Sequence, residues 1–562
     1  MKSIFGNLMS DAGTKRQRFA SLTILIAVSL SVLAPFLNKA FHIDDPMYIW
    51  AARQIQSNPL DFYGFMVNWY QTKMPMFDVM KNPPLVSYYI ALVASLFGWA
   101  ETTLHLAFLL PALAAVIGTY YLAAEFCSTP LIATLAGICT PVFLLSSTSV
   151  MCDIMMMSFW VWATLLWIRS LKRGSTPGLI CAALLVALSS LTKYYGMSLI
   201  PLLFLYSLAV KRNAGRWAFF LLIPVLALAA YQWLTYRLYG RGLLLDASSY
   251  ALERQKLEVV QLIVKNSTGL FFTGGCFISV FFFSFLLWRK RSLVIGAVLI
   301  LLFTAYYLYE FEPNGLIYND ATGLNWTFIV QCFLFSASGI GILILAASDL
   351  WQNKNADSLF LFLWVVGTFI FTSYLNWSVA GRSVLPIFPV VGILVMRRIE
   401  QKNGNHGMVK AKYVLVPLLL SLVVALSVTW ADYTWADAAR STAAALSHRY
   451  KNYPGTVWFQ GHWGFQYYME KYGGKAFDIN ESDIARGDIL VVPPDNSNKF
   501  PLHEDMLFLD VVYKVTPGTR WISTLNMSTG AGFYSSKWGP LPYAFGPVAE
   551  AEYDVFIVTG SH

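Results

Sequence analysis

Long apolar runs separated by short polar loops fill the first 431 positions of the chain. After them come short apolar stretches set among turn residues. A helix needs ~20 apolar residues to cross a bilayer. Runs near that length recur at 19–38, 102–124, 130–149, 154–170, 177–192, 194–210, 217–236, 267–288, 292–309, 326–348, 358–377, 383–398 and 412–431, which predicts about thirteen transmembrane helices. One further run, PPLVSYYIALVASLFG at 83–98, has only 16 residues. At ~1.5 Å per residue it falls short of a ~30 Å hydrocarbon core, so it reads as an interfacial helix.

Charge tests this count. Basic groups mark cytoplasmic loops, so successive groups should be separated by an even number of crossings. The groups are Lys15/Arg16/Arg18, Arg169/Lys172/Arg173, Lys211/Arg212/Arg216, Arg289/Lys290/Arg291, Lys354, and Arg397/Arg398/Lys402 with Lys410/Lys412. The parity holds throughout only if 83–98 does not cross. The N-terminus is then inside and the C-terminus outside. The first run lacks a small-residue cleavage site and is read as a retained helix.

Composition agrees. The 562 residues are 57% hydrophobic and 13% charged, with a mean hydropathy of +0.54; soluble proteins carry about 25% charge. The net charge of +9 is scattered between apolar runs, which argues against a nucleic-acid partner. Aromatics, at 16%, suit interfacial belts and a cavity for a lipidic or sugar ligand. The cysteines Cys127, Cys139, Cys152, Cys181, Cys276 and Cys332 lie in or beside apolar runs with no metal-binding spacing, and read as small buried hydrophobes. The lone His42 and His105 imply no metal site.

From about 432 an Ala-rich helix leaves the membrane. Apolar strands at 456–461, 488–494, 506–515 and 553–560 and a helix at 464–472 follow. The expected architecture is thus a membrane domain, 1–431, whose first outer loop 38–101 holds interfacial helices, and a small extracytoplasmic α/β domain, 432–562.

Asp44, Asp45, Lys81, Asp153, Lys193 and Arg382 all fall near the outer surface in this topology. Transporters more often place ionisable groups at mid-membrane; clustering at one interface favours an interfacial active site. In DDPMYIWAARQIQ, Pro46 suits a first helical position and Asp45 suits its N-cap, starting an interfacial helix at 46–56. Asp44 is left free to act as a general base. Lys81 and Asn82 precede Pro-Pro, where a lysine serves as a headgroup anchor or a phosphate contact. Asp153 opens a span, as an N-cap or as a second carboxylate holding the acceptor. Lys193 and Tyr194 form an outer turn, and Arg382 precedes another span; both cations lie outside, against the positive-inside bias, and arginine suits phosphate. Arg237, Arg241, Arg254 and Lys256 form either a solvated helix or a lid over an anionic donor. Glu310, Glu312 and Asp320 are equally ambiguous.

The pieces DDPMYIWAAR, KNPPLVSYYIALVASLFG, MCDIMMMSFWVWATLLWIRSLKRG, TKYYGMSLIPLL and GRSVLPIFPVVGIL, in this order over 41–396, resemble the integral-membrane glycosyltransferases of the C superfamily. The similar branch holds protein O-mannosyltransferases and the lipid A aminoarabinose transferase. The resemblance implies a polyprenyl-phosphate-linked sugar donor and transfer on the outer face of the inner membrane. It makes Asp44 the base and matches Asp153 to the second outer acidic residue and Arg382 to the late basic residue. Asp45 stands where the family usually has glutamate. Asn82 stands at the family's His or Lys position, with Lys81 one residue earlier. The expected reaction is an inverting transfer to a lipid, glycan or protein hydroxyl. Asp44, Asp45 and Asp153 are its catalytic carboxylates. Lys81, Asn82, Lys193, Tyr194, Arg241 and Arg382 are its substrate-binding set. Paired carboxylates can hold Mg²⁺ or Mn²⁺, but no ligand set is complete. The rival class is a lipid or glycan transporter or flippase, which predicts mid-span charges and repeated spans.

Overall fold

The computed structural model describes residues 15–253, 259–311, 315–319, 323–403, 411–501 and 506–560. Arg254, Lys256, Glu312, Asp320 and Lys410 lie outside the described residues. The protein is mostly helical and multi-pass. Among the described residues nine helices are long and apolar enough to cross a membrane, or ten with one bent pair counted as a span.

The expected thirteen segments are all helical, yet three are broken and one is short. The run 130–149 is two helices, Pro130–Ile138 and Pro141–Ser147, bent by 70°. Pro141 supplies no amide and disfavours helix in the residue before it. Thr176–Thr192 has 17 residues. The run 267–288 begins earlier, as Val259–Cys276, and ends in two four-residue helices. The run 383–398 is divided by Pro386 and Pro389 into Gly381–Val384, a 3-10 turn Leu385–Ile387 and Phe388–Asn403. The segment 83–98 forms the 13-residue helix Leu85–Phe97.

Basic groups gather at one end of the bundle. Arg169 pairs with Glu125 at 2.8 Å, and Arg397 reaches Asp349, Ser358 and the neighbouring Phe126 carbonyl. Lys402 donates to the Leu286 and Trp288 carbonyls. The loop 38–100 and the C-terminal segment cover the other end. That loop holds the helix Asp45–Ser57, a hairpin pairing Met66–Asn68 with Lys73–Pro75, and the helix Leu85–Phe97.

The helix Ala411–Arg449 has 39 residues. At about 58 Å it is far longer than a bilayer core, and its last turns form the platform for the C-terminal sheet. The sheet order is Lys475–Ala476, Val457–Phe459, Ile489–Val492, Ala551–Val558, Leu507–Val515. The first three strands run parallel, and Ala551–Val558 is antiparallel to both its neighbours. All four expected strands and the helix, here Trp463–Lys471, are present. One apolar core runs from the bundle through the loop 38–100 into this segment. The six cysteines are unbridged, and Cys181, expected to be buried, faces outward.

Candidate active site

Four consecutive residues at the start of the helix Cys152–Arg173 take partners from three different parts of the chain. The Val150 amide donates to Asp45 Oδ1 at 2.9 Å. Met151 Sδ accepts from Arg382 Nη1 at 3.2 Å. The Cys152 thiol lies 3.0 Å from the Tyr48 hydroxyl. Asp153 Oδ1 pairs with Lys193 Nζ at 2.5 Å. Asp153 stands in the first helical turn, where the helix dipole favours a carboxylate. It makes no capping bond, so the N-cap alternative falls. Lys193 ends the helix Thr176–Thr192, where the dipole favours a cation. The 3-10 turn after it packs Gly196 against the backbone of Ser189 and Ser190, with no room for a Cβ.

The two adjacent aspartates differ sharply. Asp44, the N-cap residue of the helix Asp45–Ser57, makes no side-chain cap bond. It is not free as expected: its Oδ2 accepts from Arg382 Nη2 at 2.6 Å, with both side chains mostly buried. Asp45 is wholly buried and does not cap the helix it begins. Its carboxylate faces backwards, accepting the His42 amide at 2.8 Å as well as Val150. The helix starts one residue earlier than the proline suggests, with Asp44 at the N-cap position and Asp45 already in the first turn, and packing brings the Val150 amide to the Asp45 carboxylate. Burial pushes the Asp45 carboxyl up to about 7, although Lys39 and the two amides pull the other way. Arg382 is placed by the C-terminal segment, because the Gly381 amide donates to the Phe533 carbonyl at 2.6 Å.

A second group is joined to the first through Asn82, whose amide donates to the Tyr48 hydroxyl at 3.1 Å and whose carbonyl accepts from Tyr63 at 2.8 Å. Beside it, Lys81 pairs with Asp246 at 2.5 Å. Arg241 pairs with Asp78 and, at 3.4 Å, with Asp246. The stretch around Arg241 is therefore tied down through the helix Leu243–Glu253, not a freely solvated helix. Tyr194 donates to Tyr231 at 3.2 Å. Tyr231 stacks on Phe62, beside Tyr63. All nine expected site residues thus lie in one connected region at one end of the bundle, Lys81 and Arg241 on its flank.

Sequence reasoning missed several contributors. Tyr48, Cys152 and Asp246 carry no motif of their own. Lys265 has a buried Nζ with no hydrogen-bond partner among the described residues. It sits one turn before Gly269, which packs on Ser373, and beside Asn266, which accepts from Tyr374 at 3.2 Å. It therefore faces the turn Phe371–Leu375 that leads towards Arg382. The charge at the boundary of an apolar run was its only signal.

Behind the site, Lys39 Nζ pairs with Asp432 Oδ2 at 2.6 Å with both side chains fully buried. Thr524 and Tyr534 also donate to Asp432, at 2.8 and 2.9 Å. His42 lies 3.8 Å from it, and burial holds the imidazole down at about 4 against the attraction of Asp432. Among the described residues, no three His, Cys, Asp or Glu side chains form a set that holds a metal ion.

Residues 81–235 match the family described as dolichyl-phosphate-mannose-protein mannosyltransferase. The match spans the KNPP motif, Asp153 and the Lys193–Tyr194 turn, and bears out the family resemblance of the motifs. Among solved structures, the chain is similar to the Archaeoglobus fulgidus oligosaccharyltransferase tethered with an acceptor peptide, at 14% identity and a TM-score of 0.47. That likeness covers 82% of this chain and 64% of the other, so the chain spans less than two thirds of its length. It is also similar to ArnT from Cupriavidus metallidurans bound to undecaprenyl phosphate, at 12% identity and a TM-score of 0.46, covering 84% of this chain and 93% of that one. No curated protein matches the chain.

Proposed function

We propose that this protein is a membrane glycosyltransferase that moves a sugar from a polyprenyl-phosphate donor to a hydroxyl acceptor, with inversion, on the outer face of the inner membrane. The observation that carries this reading is the Asp44–Arg382 ion pair, with Asp153–Lys193 beside it on the same four-residue stretch. One cluster of side chains thus holds both a carboxylate suited to a base and cations suited to a phosphate.

The pair suggests an order of events. Arg382 holds the Asp44 carboxylate in place until the donor arrives. The donor phosphate then competes for the guanidinium, which binds phosphate in a bidentate manner. Asp44 is freed to take the acceptor proton. As that proton leaves, the acceptor oxygen attacks the anomeric carbon from the side opposite the phosphate. The bond from that carbon to the phosphate oxygen breaks, and its electron pair stays on the polyprenyl phosphate. Arg382 and Lys193 stabilise the developing charge as fixed, partly desolvated cations, and Lys265, whose Nζ has no hydrogen-bond partner among the described residues, supplies a further one. Lys81 and Arg241, tied through Asp246, close the flank where the donor enters. Asp45 holds the Asp44 turn and the Val150 turn together.

The test is transfer in membrane vesicles supplied with a polyprenyl-phosphate sugar. General-base help is worth ~10²–10⁴-fold, so Asp44→Asn should lose about that factor in kcat with the donor still bound. Unchanged transfer sinks the assignment.

A further inference from the structure

A cleft of about 700 Å³ lies between the helix Asp45–Ser57, the hairpin that follows it and the C-terminal sheet. Its size is that of ligand sites in general, ~300–1,000 Å³. It opens on the side of the helix opposite Tyr48, where Trp50, Arg53, Gln54 and Ser57 recur at helical spacing. None of the groups assigned above to donor binding or proton transfer lines it.

The walls say what chemistry fits. Two half-buried indoles, Trp50 and Trp458, come from opposite sides of the cleft. Both are held in fixed orientations. Trp50 packs edge-on against Trp69 with ring centroids 6.3 Å apart. The Trp458 indole N–H donates to Asp488 at 2.9 Å, with the Lys475 ammonium 5.6 Å from its ring centroid. Around them, Arg53, Lys73 and Lys475 face Asp478 and Glu481, and Glu470 is a carboxyl that burial pushes up to about 7. Charge of both signs does not suit a phosphate or another polyanion. Walls so rich in charge do not suit an acyl chain. Rigid aromatic faces ringed by planar donors and acceptors do suit a neutral sugar: its C–H faces pack on indole, and its hydroxyls both donate and accept.

We propose that this cleft binds an uncharged oligosaccharide, and that the acceptor of the reaction is accordingly a glycan, whose chain lies in the cleft while its growing end reaches Asp44. The second half of this statement rests on the transferase reading; the binding does not. The helix supplies the connection. Trp50 lies about 9 Å, and Ser57 about 20 Å, along the helix axis from Asp44, a span that an extended glycan crosses in a few residues. Pre-set rings lower the ordering cost of binding.

The experiment uses the full chain in nanodiscs, immobilised. The probe is the pool of glycans released by mild acid from the cell envelope of the source organism and labelled at the reducing end. Wild type and Asp44→Asn should retain a fraction of this pool. Trp458→Ala and Trp50→Ala, which alter opposite walls, should each lower retention at least fivefold, and Trp458→Phe should restore part of it. Melting temperatures identify any variant that fails to fold. Periodate treatment of the probe should abolish retention. No retention by wild type, retention unchanged in both folded tryptophan variants, or retention that survives periodate overturns the proposal. Normal transfer by Asp44→Asn would instead overturn the transferase reading and leave the binding result standing.

Discussion

Asp44 and Arg382 lie 338 positions apart in sequence, and their side chains meet at 2.6 Å. The contact joins the first loop of the chain to the start of a late helix. In the proposed reaction it also relates the base to the group that restrains it. If the two act as a unit, their substitutions should not add. Asp44→Asn and Arg382→Met should each lower kcat/KM at least a hundredfold, and the double variant should lose much less than the product. Arg382→Met should also raise the KM for the donor, which Asp44→Asn should not. Transfer assays at varied donor concentration separate these effects.

Lys265 gives a contrasting prediction. Its Nζ is buried without a hydrogen-bond partner among the described residues, a costly state. Lys265→Met should leave thermal stability unchanged or raise it, while the donor KM rises about tenfold, as expected for the loss of one charge-assisted phosphate contact worth ~1.4 kcal/mol. A purely structural lysine would show the reverse. Unfolding midpoints in detergent and donor titrations check both halves.

The Lys39–Asp432 pair should behave as a buried ion pair does. Removing one partner strands a charge, at a cost of ~3–5 kcal/mol, whereas replacing both by apolar residues costs much less. Lys39→Met should therefore destabilise more than Lys39→Met with Asp432→Leu. Denaturant titrations of the purified protein measure the difference.

Asp45 adds a pH signature. Its carboxyl ionises near 3.8 unfolded and near 7 folded, so between these values the folded state holds the extra proton. This term is therefore fully present below about pH 4 and is lost as pH rises to 7, at ~1.4 kcal/mol per unit at most. His42 works in the opposite sense: held down at about 4, it favours folding more as pH rises from 4 to 6.5. The Asp45 term is isolated by comparison. The stability of Asp45→Asn relative to wild type should be greater at pH 7 than at pH 4, in thermal melts across that range.

Gly464 opens the helix Trp463–Lys471 directly beneath the Phe41 carbonyl, and a Cβ there has no space. Gly464→Ala should cost ~1–3 kcal/mol. It should also weaken transfer, because it pushes the C-terminal segment off the loop that carries Asp44. Limited proteolysis near residue 450, together with activity, reports on both.

The class of the protein was legible because hydropathy is a local property. Runs of apolar residues place the helices, and prolines at 141, 386 and 389 mark where they break, a signal the span count overlooked. The motif residues were legible for the same reason: Asp44, Asp153, Lys193 and Arg382 are charges at the ends of apolar runs, where a charge is costly without a use. Strands and turns in the last 110 residues also follow from local pattern.

Partners were not legible. Asp45 before Pro46 has the local pattern of a cap, yet it turns back to bind His42 and Val150, because packing brings residue 150 beside it. Asp44 reads as free, because nothing near it in sequence announces Arg382. The cleft between Trp50 and Trp458 exists only because the C-terminal sheet folds onto the first loop. The sequence by itself determined a helical membrane protein with charges gathered at one end, since burial and helix formation depend on neighbours along the chain. Which charge faces which was decided only by tertiary packing, because an ion pair depends on distance in space, and segments hundreds of residues apart set that distance.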